Sequence, residues 1–201
     1  ILHVFSLCDS SIVVRHHKLR AYVIFCMFSL FVIVPSSFAI TIDGAISSGE
    51  YSKQTEFDKG NFKLLWEFEG EKVFMAIIAK TPGWISVGFN PSSFMSNSDL
   101  ILAVVKDSQD IKVYDEWSSG MFGPHAPDIE KGGTSDVLSY AGSRSGDTVI
   151  FEFSRLLDTK DKYDKAIPTS GKFKIMWAYG PSLDMTAKHK KAGTATVEMA
   201  K

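Results

Sequence analysis

The chain has 201 residues, of which 45% are hydrophobic, and a formal charge of −1. That length supports one domain plus a short appendage, with enough apolar residues for a sizeable core. A charge near zero carries no electrostatic footprint of a nucleic-acid partner, so none is expected.

The first 39 residues differ from the rest. Arg15, His16, His17, Lys18 and Arg20 form a basic segment, and Ala21 to Val34 is an uncharged apolar run. At about 14 residues the run is short for a membrane span of ~20. Ser37-Phe38-Ala39 then places small residues where a signal peptidase reads. Residues 1–39 are therefore expected to be a signal peptide or an N-terminal anchor, and residues 40–201 a separate secreted or periplasmic domain. Both cysteines, Cys8 and Cys26, belong to the leader, so the domain has no disulfide and no Cys-x-x-Cys-His attachment. Of the histidines only His125 and His189 remain.

In the domain, Ile40 to Gly44 predicts a short strand ending in an Asp-Gly turn, and Ile46 to Tyr51 a brief turn. Phe62, Leu64, Trp66 and Phe68 recur at every second position, the pattern of a strand with one face in the core. Val73 to Ala79 is apolar on both faces and predicts a central strand. Trp84 to Phe89 and Asp99 to Val105 predict two more, joined by a Ser- and Asn-rich loop that carries Met95. Ile111 to Trp117 is another strand, followed by a long irregular loop from Ser118 to Gly133. Ser135 to Ala141 and Thr148 to Ser154 predict a hairpin, and Arg155 to Lys165 a charged stretch with room for a short helix. Lys172 to Tyr179 alternates cleanly, and a loop from Ser182 to Gly193 carries His189 before a last strand over Ala195 to Met199. Many short strands with turn signals and no long amphipathic helix predict an all-β fold, an antiparallel β-sandwich, with a closed barrel as the second option.

Several chemistries find no motif. There is no phosphate-binding glycine fingerprint, no Gly-x-Ser-x-Gly elbow and no His-Glu-x-x-His. No catalytic constellation is found, so an electron-transfer or binding domain is expected rather than an enzyme. Asp115, Glu116 and Asp128 could serve as acid–base groups or calcium ligands, but isolated carboxylates on a sandwich are expected at its surface. What remains is one soft sulfur, Met95, and one imidazole, His189, on separate loops. A thioether with a neutral imidazole suits a six-coordinate haem iron that passes single electrons. His125, in Gly123-Pro124-His125-Ala126-Pro127, is read first as an ordinary loop histidine. With Met121 four residues before it, it makes a lesser Met/His soft-metal alternative.

The segment Trp84 to Phe89, then Met95 and Asp99-Leu100, followed by Trp177-Ala178-Tyr179-Gly180, His189 and Gly193, resembles the DOMON domain family. The resemblance covers about residues 40–201. It implies an immunoglobulin-like antiparallel β-sandwich of about nine to eleven strands. In the haem-binding branch it implies haem b held between Met95 and His189, with Lys188 and Lys190 as alternates to the histidine. The function implied is that of an exported b-type cytochrome working with a redox partner protein. The alternative is a haem-free DOMON module that binds a carbohydrate or another small ligand.

Overall fold

The computed structural model describes residues 40–200. The leader, residues 1–39, lies outside the described residues. Eleven strands follow one another: β1 (Lys53–Phe57), β2 (Phe62–Glu69), β3 (Lys72–Lys80), β4 (Ile85–Phe89), β5 (Ser98–Val105), β6 (Ile111–Ser118), β7 (His125–Pro127), β8 (Ser139–Ser145), β9 (Thr148–Leu156), β10 (Gly171–Tyr179) and β11 (Lys191–Met199). They form two antiparallel sheets. One has the order β1-β2-β3-β9-β8 and the other β11-β10-β4-β5-β6-β7. The expected all-β sandwich is what the chain forms.

The core lies between the two inward faces. Alternate residues of β2, β3 and β9 on one side meet alternate residues of β4, β5 and β10 on the other. Phe62, Ile77, Phe151, Val87, Ile101 and Ile175 are among the buried side chains. β4 and β5 are buried along their whole length, because their outer faces are covered too. Trp84, Leu102, Val104 and Ala178 make a second cluster on that outer face, with Tyr114 and Met185 packed against it. Met185 belongs to the segment between β10 and β11, so that segment folds back over the outside of the six-stranded sheet.

Four local expectations change. Ile40 to Gly44 is not a strand. Its amides bind carboxylates instead, Thr41 N–H donating to Glu50 Oε1 at 3.0 Å and Gly44 N–H to Glu152 Oε2 at 2.7 Å. The predicted hairpin is correct, but it turns at Gly146-Asp147, so β8 starts at Ser139 and runs through the expected turn to Ser145. The loop after β6 contains β7 and a short 3-10 turn at Asp128–Lys131. The stretch after Arg155 forms no helix. Arg155 and Leu156 complete β9, and Leu157 and Ile167 close the following loop through an Ile167 N–H to Leu157 carbonyl bond of 2.8 Å.

Candidate functional site

The register of the six-stranded sheet decides where each candidate ligand lies. β4 pairs antiparallel with β10, Ile85 facing Tyr179 and Phe89 facing Ile175. The loop after β4, which carries Met95, therefore leaves one end of the sheet. The loop after β10, which carries His189, leaves the other. Two hydrogen bonds fix the second loop beside Trp84: Trp84 N–H to the Ser182 carbonyl at 3.1 Å, and the Trp84 indole N–H to the Ala187 carbonyl at 3.2 Å. The first loop begins at Asn90, whose N–H donates to the Lys174 carbonyl at 2.8 Å. The extended run from Trp84 to Asn90 separates them by about 20 Å at ~3.3 Å per residue. Met95 and His189 thus stand on loops rooted at opposite ends of β4.

The Met95 loop is tightly built. Ser98 Oγ–H donates to the Met95 carbonyl at 2.5 Å, and Ser92 N–H to the Ser96 carbonyl at 2.9 Å. These bonds hold Phe94 at φ 49° and Asn97 at φ 56°, left-handed backbone that costs roughly 1–3 kcal/mol at a non-glycine residue. Met95 N–H donates to the Met121 carbonyl at 3.2 Å. That bond ties the loop after β4 to the loop after β6. Phe94 and Phe122 are 61% and 82% exposed, with ring centroids 5.4 Å apart. Met95 is half-buried.

His125 belongs to this same end. It starts β7 opposite Ser118, and Ser118 in turn faces Ser98. Its Nδ1 contacts the Glu116 carboxylate, which is buried. That contact raises the histidine pKa, burial opposes it, and the Glu116 charge adds to the rise. With Nδ1 committed to a carboxylate, Nε2 is the nitrogen left for a ligand, the arrangement common in metal-binding histidines. The His125–Glu116 pair also predicts a pH dependence. A histidine whose folded pKa is raised contributes stability that is fully present below its unfolded value of about 6.5 and lost as pH rises through the folded value. The unfolding free-energy difference between the native chain and His125→Gln should therefore shrink from about pH 5 to about pH 9. A difference that stays flat would show the pair to be energetically idle.

Beneath the Met95 loop, the core turns polar. Val149, Phe151 and Phe153 of β9 point inward, and the next inward position is Arg155, with 0% exposure. Facing it across the sandwich, Val105, Ala103 and Ile101 of β5 are followed by Asp99, also at 0%. Arg155 Nη1 donates to Asp99 Oδ2 at 2.8 Å, and its Nη2 lies 3.0 Å from Asp164 Oδ2. The guanidinium stacks over Phe89, 5.5 Å from the ring centroid. Burial works against the arginine's charge, but Asp99 and Asp164 more than restore it, and its pKa lies above the usual value. Asp115 on β6 joins them, accepting the Asp136 N–H at 2.7 Å. Burial pushes Asp115 up to about 8, Asp128 up to about 7 and Asp164 up to about 6, with the neighbouring carboxylates adding to each rise. Asp115, Glu116 and Asp128, expected at the surface, are all buried. The sequence reading gave Arg155 and Asp164 no role and noted Asp99 only as part of the family motif. Arg155 could have been found from its spacing, two residues beyond the inward-facing Phe153.

Comparison with known proteins bears on this arrangement. The model of the family described as "DOMON domain" matches residues 58–180. DBH-like monooxygenase protein 1 of Mus musculus is 30% identical over 122 residues, and that of Homo sapiens 28% identical over 135. These matches cover 60% and 66% of this chain but 19% and 21% of the relatives, so the chain spans about a fifth of their length. Among solved structures, the cytochrome b domain of pyranose dehydrogenase from Coprinopsis cinerea superposes with a TM-score of 0.56 at 16% identity, covering 74% of this chain and 81% of that one. The cytochrome domain of Myriococcum thermophilum cellobiose dehydrogenase does so with 0.52 at 11%, covering 74% and 84%. At those identities the likeness is one of fold.

Proposed function

Because this chain belongs to the DOMON domain family, we propose that it is an exported, non-catalytic redox domain that holds haem b at the Met95 end of its sandwich, with His125 in place of His189 as the partner of Met95. The observation that carries this reading is the hydrogen bond from Met95 N–H to the Met121 carbonyl. It brings the loops of Met95 and His125 to one end of one sheet. The donor set suits the group: a soft thioether, an imidazole oriented through Nδ1 by Glu116, and the apolar rings of Phe94 and Phe122 beside them. When bound, such an iron exchanges single electrons with another protein, so the function would require a redox partner. In this reading the chain's own residues orient the imidazole, present the sulfur from a stiff loop and exclude water with exposed aromatic rings.

The test is the absorption spectrum of the purified chain supplied with haem, oxidised and then reduced with dithionite. A Soret band with resolved α and β bands on reduction is expected. Met95→Ala and His125→Ala should each abolish the six-coordinate signature, while His189→Ala should leave it intact. A folded chain with no Soret band would overturn the reading. The rooting of the Met95 and His189 loops at opposite ends of β4 favours the second reading, a haem-free DOMON module that binds a carbohydrate or other small ligand. That module would be colourless and would respond to a sugar screen.

A further inference from the structure

The two sheets are bolted together along one margin and open along the other. At the closed margin Arg144 of β8 donates to the Val105 carbonyl of β5 at 2.7 Å, and to the carbonyls of Thr81 at 2.8 Å and Gly83 at 3.0 Å. At the other margin β1 and β11 are the outermost strands, β1 paired only with β2 and β11 only with β10. Among the described residues no backbone hydrogen bond joins these two strands to each other. Phe57, the last residue of β1, stacks on Trp177 of β10 with ring centroids 5.5 Å apart. Beyond that stack the margin opens into a cleft of about 490 Å³, lined by Ser52 to Thr55 on one side, Thr196 to Glu198 on the other, and Trp66 of β2.

The lining identifies what the cleft offers. Successive side chains of a strand point to opposite faces. Consecutive residues on both walls therefore mean that the cleft runs along the main-chain edges of the two strands. In a strand paired on one side only, N–H and C=O groups point to the free side at alternate residues. Trp66 adds one more donor. It is 3% exposed, and its indole N–H is buried without a protein partner. That group carries the penalty of an unmade hydrogen bond until an acceptor reaches it. Val197 is buried and apolar, Thr55 is half-buried, and Gln54 and Thr196 are exposed.

We propose that this cleft binds an extended segment of another polypeptide, which adds as a strand to the free main-chain edges at this margin and directs one carbonyl to the Trp66 indole N–H. Ser52 to Thr55 span about 13 Å at ~3.3 Å per residue, so the cleft holds about four residues of such a segment. Its volume lies within the range of about 300–1,000 Å³ usual for ligand sites. One basic and one acidic side chain, Lys53 and Glu198, stand on the two walls and balance each other. The segment that fits is therefore uncharged, and alternates small apolar residues turned towards Val197 with polar ones turned to solvent. A sugar ring would need an aromatic face to lie on, and Trp66 at 3% exposure presents none. None of these residues takes part in the haem reading, so the two stand or fall separately.

The experiment uses the full chain, isotope-labelled at nitrogen, and follows its four tryptophan indole signals by NMR. Trp66→Phe keeps an aromatic ring, removes the N–H and identifies the Trp66 signal. The probe is the blocked peptide acetyl-Thr-Val-Thr-Val-Thr-amide. A saturable downfield movement of the Trp66 signal is expected, with a dissociation constant of about 1 mM or tighter. The same peptide methylated at its valine nitrogens should bind about tenfold more weakly, since it has lost main-chain donors while its side chains are unchanged. By calorimetry, Trp66→Phe should bind the unmethylated peptide about two- to tenfold more weakly, the contribution of one hydrogen bond. A folded native chain whose Trp66 signal does not move at several millimolar peptide overturns the proposal. So does equal binding of the methylated peptide, which would exclude strand pairing. A disaccharide that moves the Trp66 signal where the peptide does not would give the cleft to a sugar and overturn it as well.

Discussion

Arg155→Met should destabilise the fold by about 3–5 kcal/mol, because it leaves a buried charge cluster without its counter-ion. The arginine is fully buried and contacts carboxylates on two other segments, Asp99 and Asp164. Methionine fills a similar volume and keeps the contact with Phe89, so the loss reports charge rather than a cavity. Arg155→Lys should recover only part of it. A single ammonium cannot reproduce the fork that reaches Asp99 with one nitrogen and Asp164 with the other. Urea denaturation at neutral pH measures both variants. The triple change Arg155→Met, Asp99→Asn, Asp164→Asn should be more stable than the single change, since it removes the uncompensated charges along with the cation. If the single variant is as stable as the native chain, the carboxylates are already neutral and the polar end of the core is held by protons.

The second large effect is expected at Gly180→Ala, at the opposite end of the sandwich. A Cβ at Gly180 would lie 2.5 Å from Trp84 Cε2 and closer still to its Nε1 and Cδ1. The ring has no free direction of retreat. It is buried, its N–H is engaged by the Ala187 carbonyl, and its own backbone carbonyl accepts the Gly180 N–H at 2.7 Å. Thr81 Oγ–H donates to the Gly180 carbonyl at 2.6 Å and fixes the other side. Overpacking of this kind costs typically about 1–3 kcal/mol. Urea denaturation should record that loss, and tryptophan emission should shift as the indole is displaced. An alanine variant with native stability and emission would mean that the corner between Trp84 and Gly180 yields easily.

The strands were legible where side-chain period and burial agree. Phe62, Leu64, Trp66 and Phe68 define β2, and Phe173, Ile175, Trp177 and Tyr179 define β10, because in each strand every second residue is large and apolar and faces the core. β1 was not legible. Lys-Gln-Thr-Glu-Phe is an edge strand with little buried surface, and its pairing with β2 decides its conformation. β7 is three residues long and exists only through its bonds to β6. The two candidate ligand loops were recognisable by composition, but their positions were not. Which end of a sheet a loop occupies depends on strand pairing, and β4 finds β10 only in the folded chain. The acidic cluster was obscured for a related reason. Asp115 and Asp128 look like surface residues until Arg155 and Asp99 are seen to continue the inward-facing rows of β9 and β5.

The position of β4 between β5 and β10 also governs the order in which the chain can assemble. β4 can pair with β5 as soon as both have been synthesised, since only the Met95 loop separates them. Its other edge must wait until Ile175 to Tyr179 have emerged, after β6 to β9 have been made. β3 waits in the same way for β9. Loop-closure entropy for such distant partners is lost before their contacts give anything back, which makes folding of this topology slow. During that interval Val87 and its neighbours present an unpaired apolar edge, the kind of surface on which nascent chains associate. A sandwich of this connectivity is therefore expected to depend on a holding chaperone between synthesis and completion.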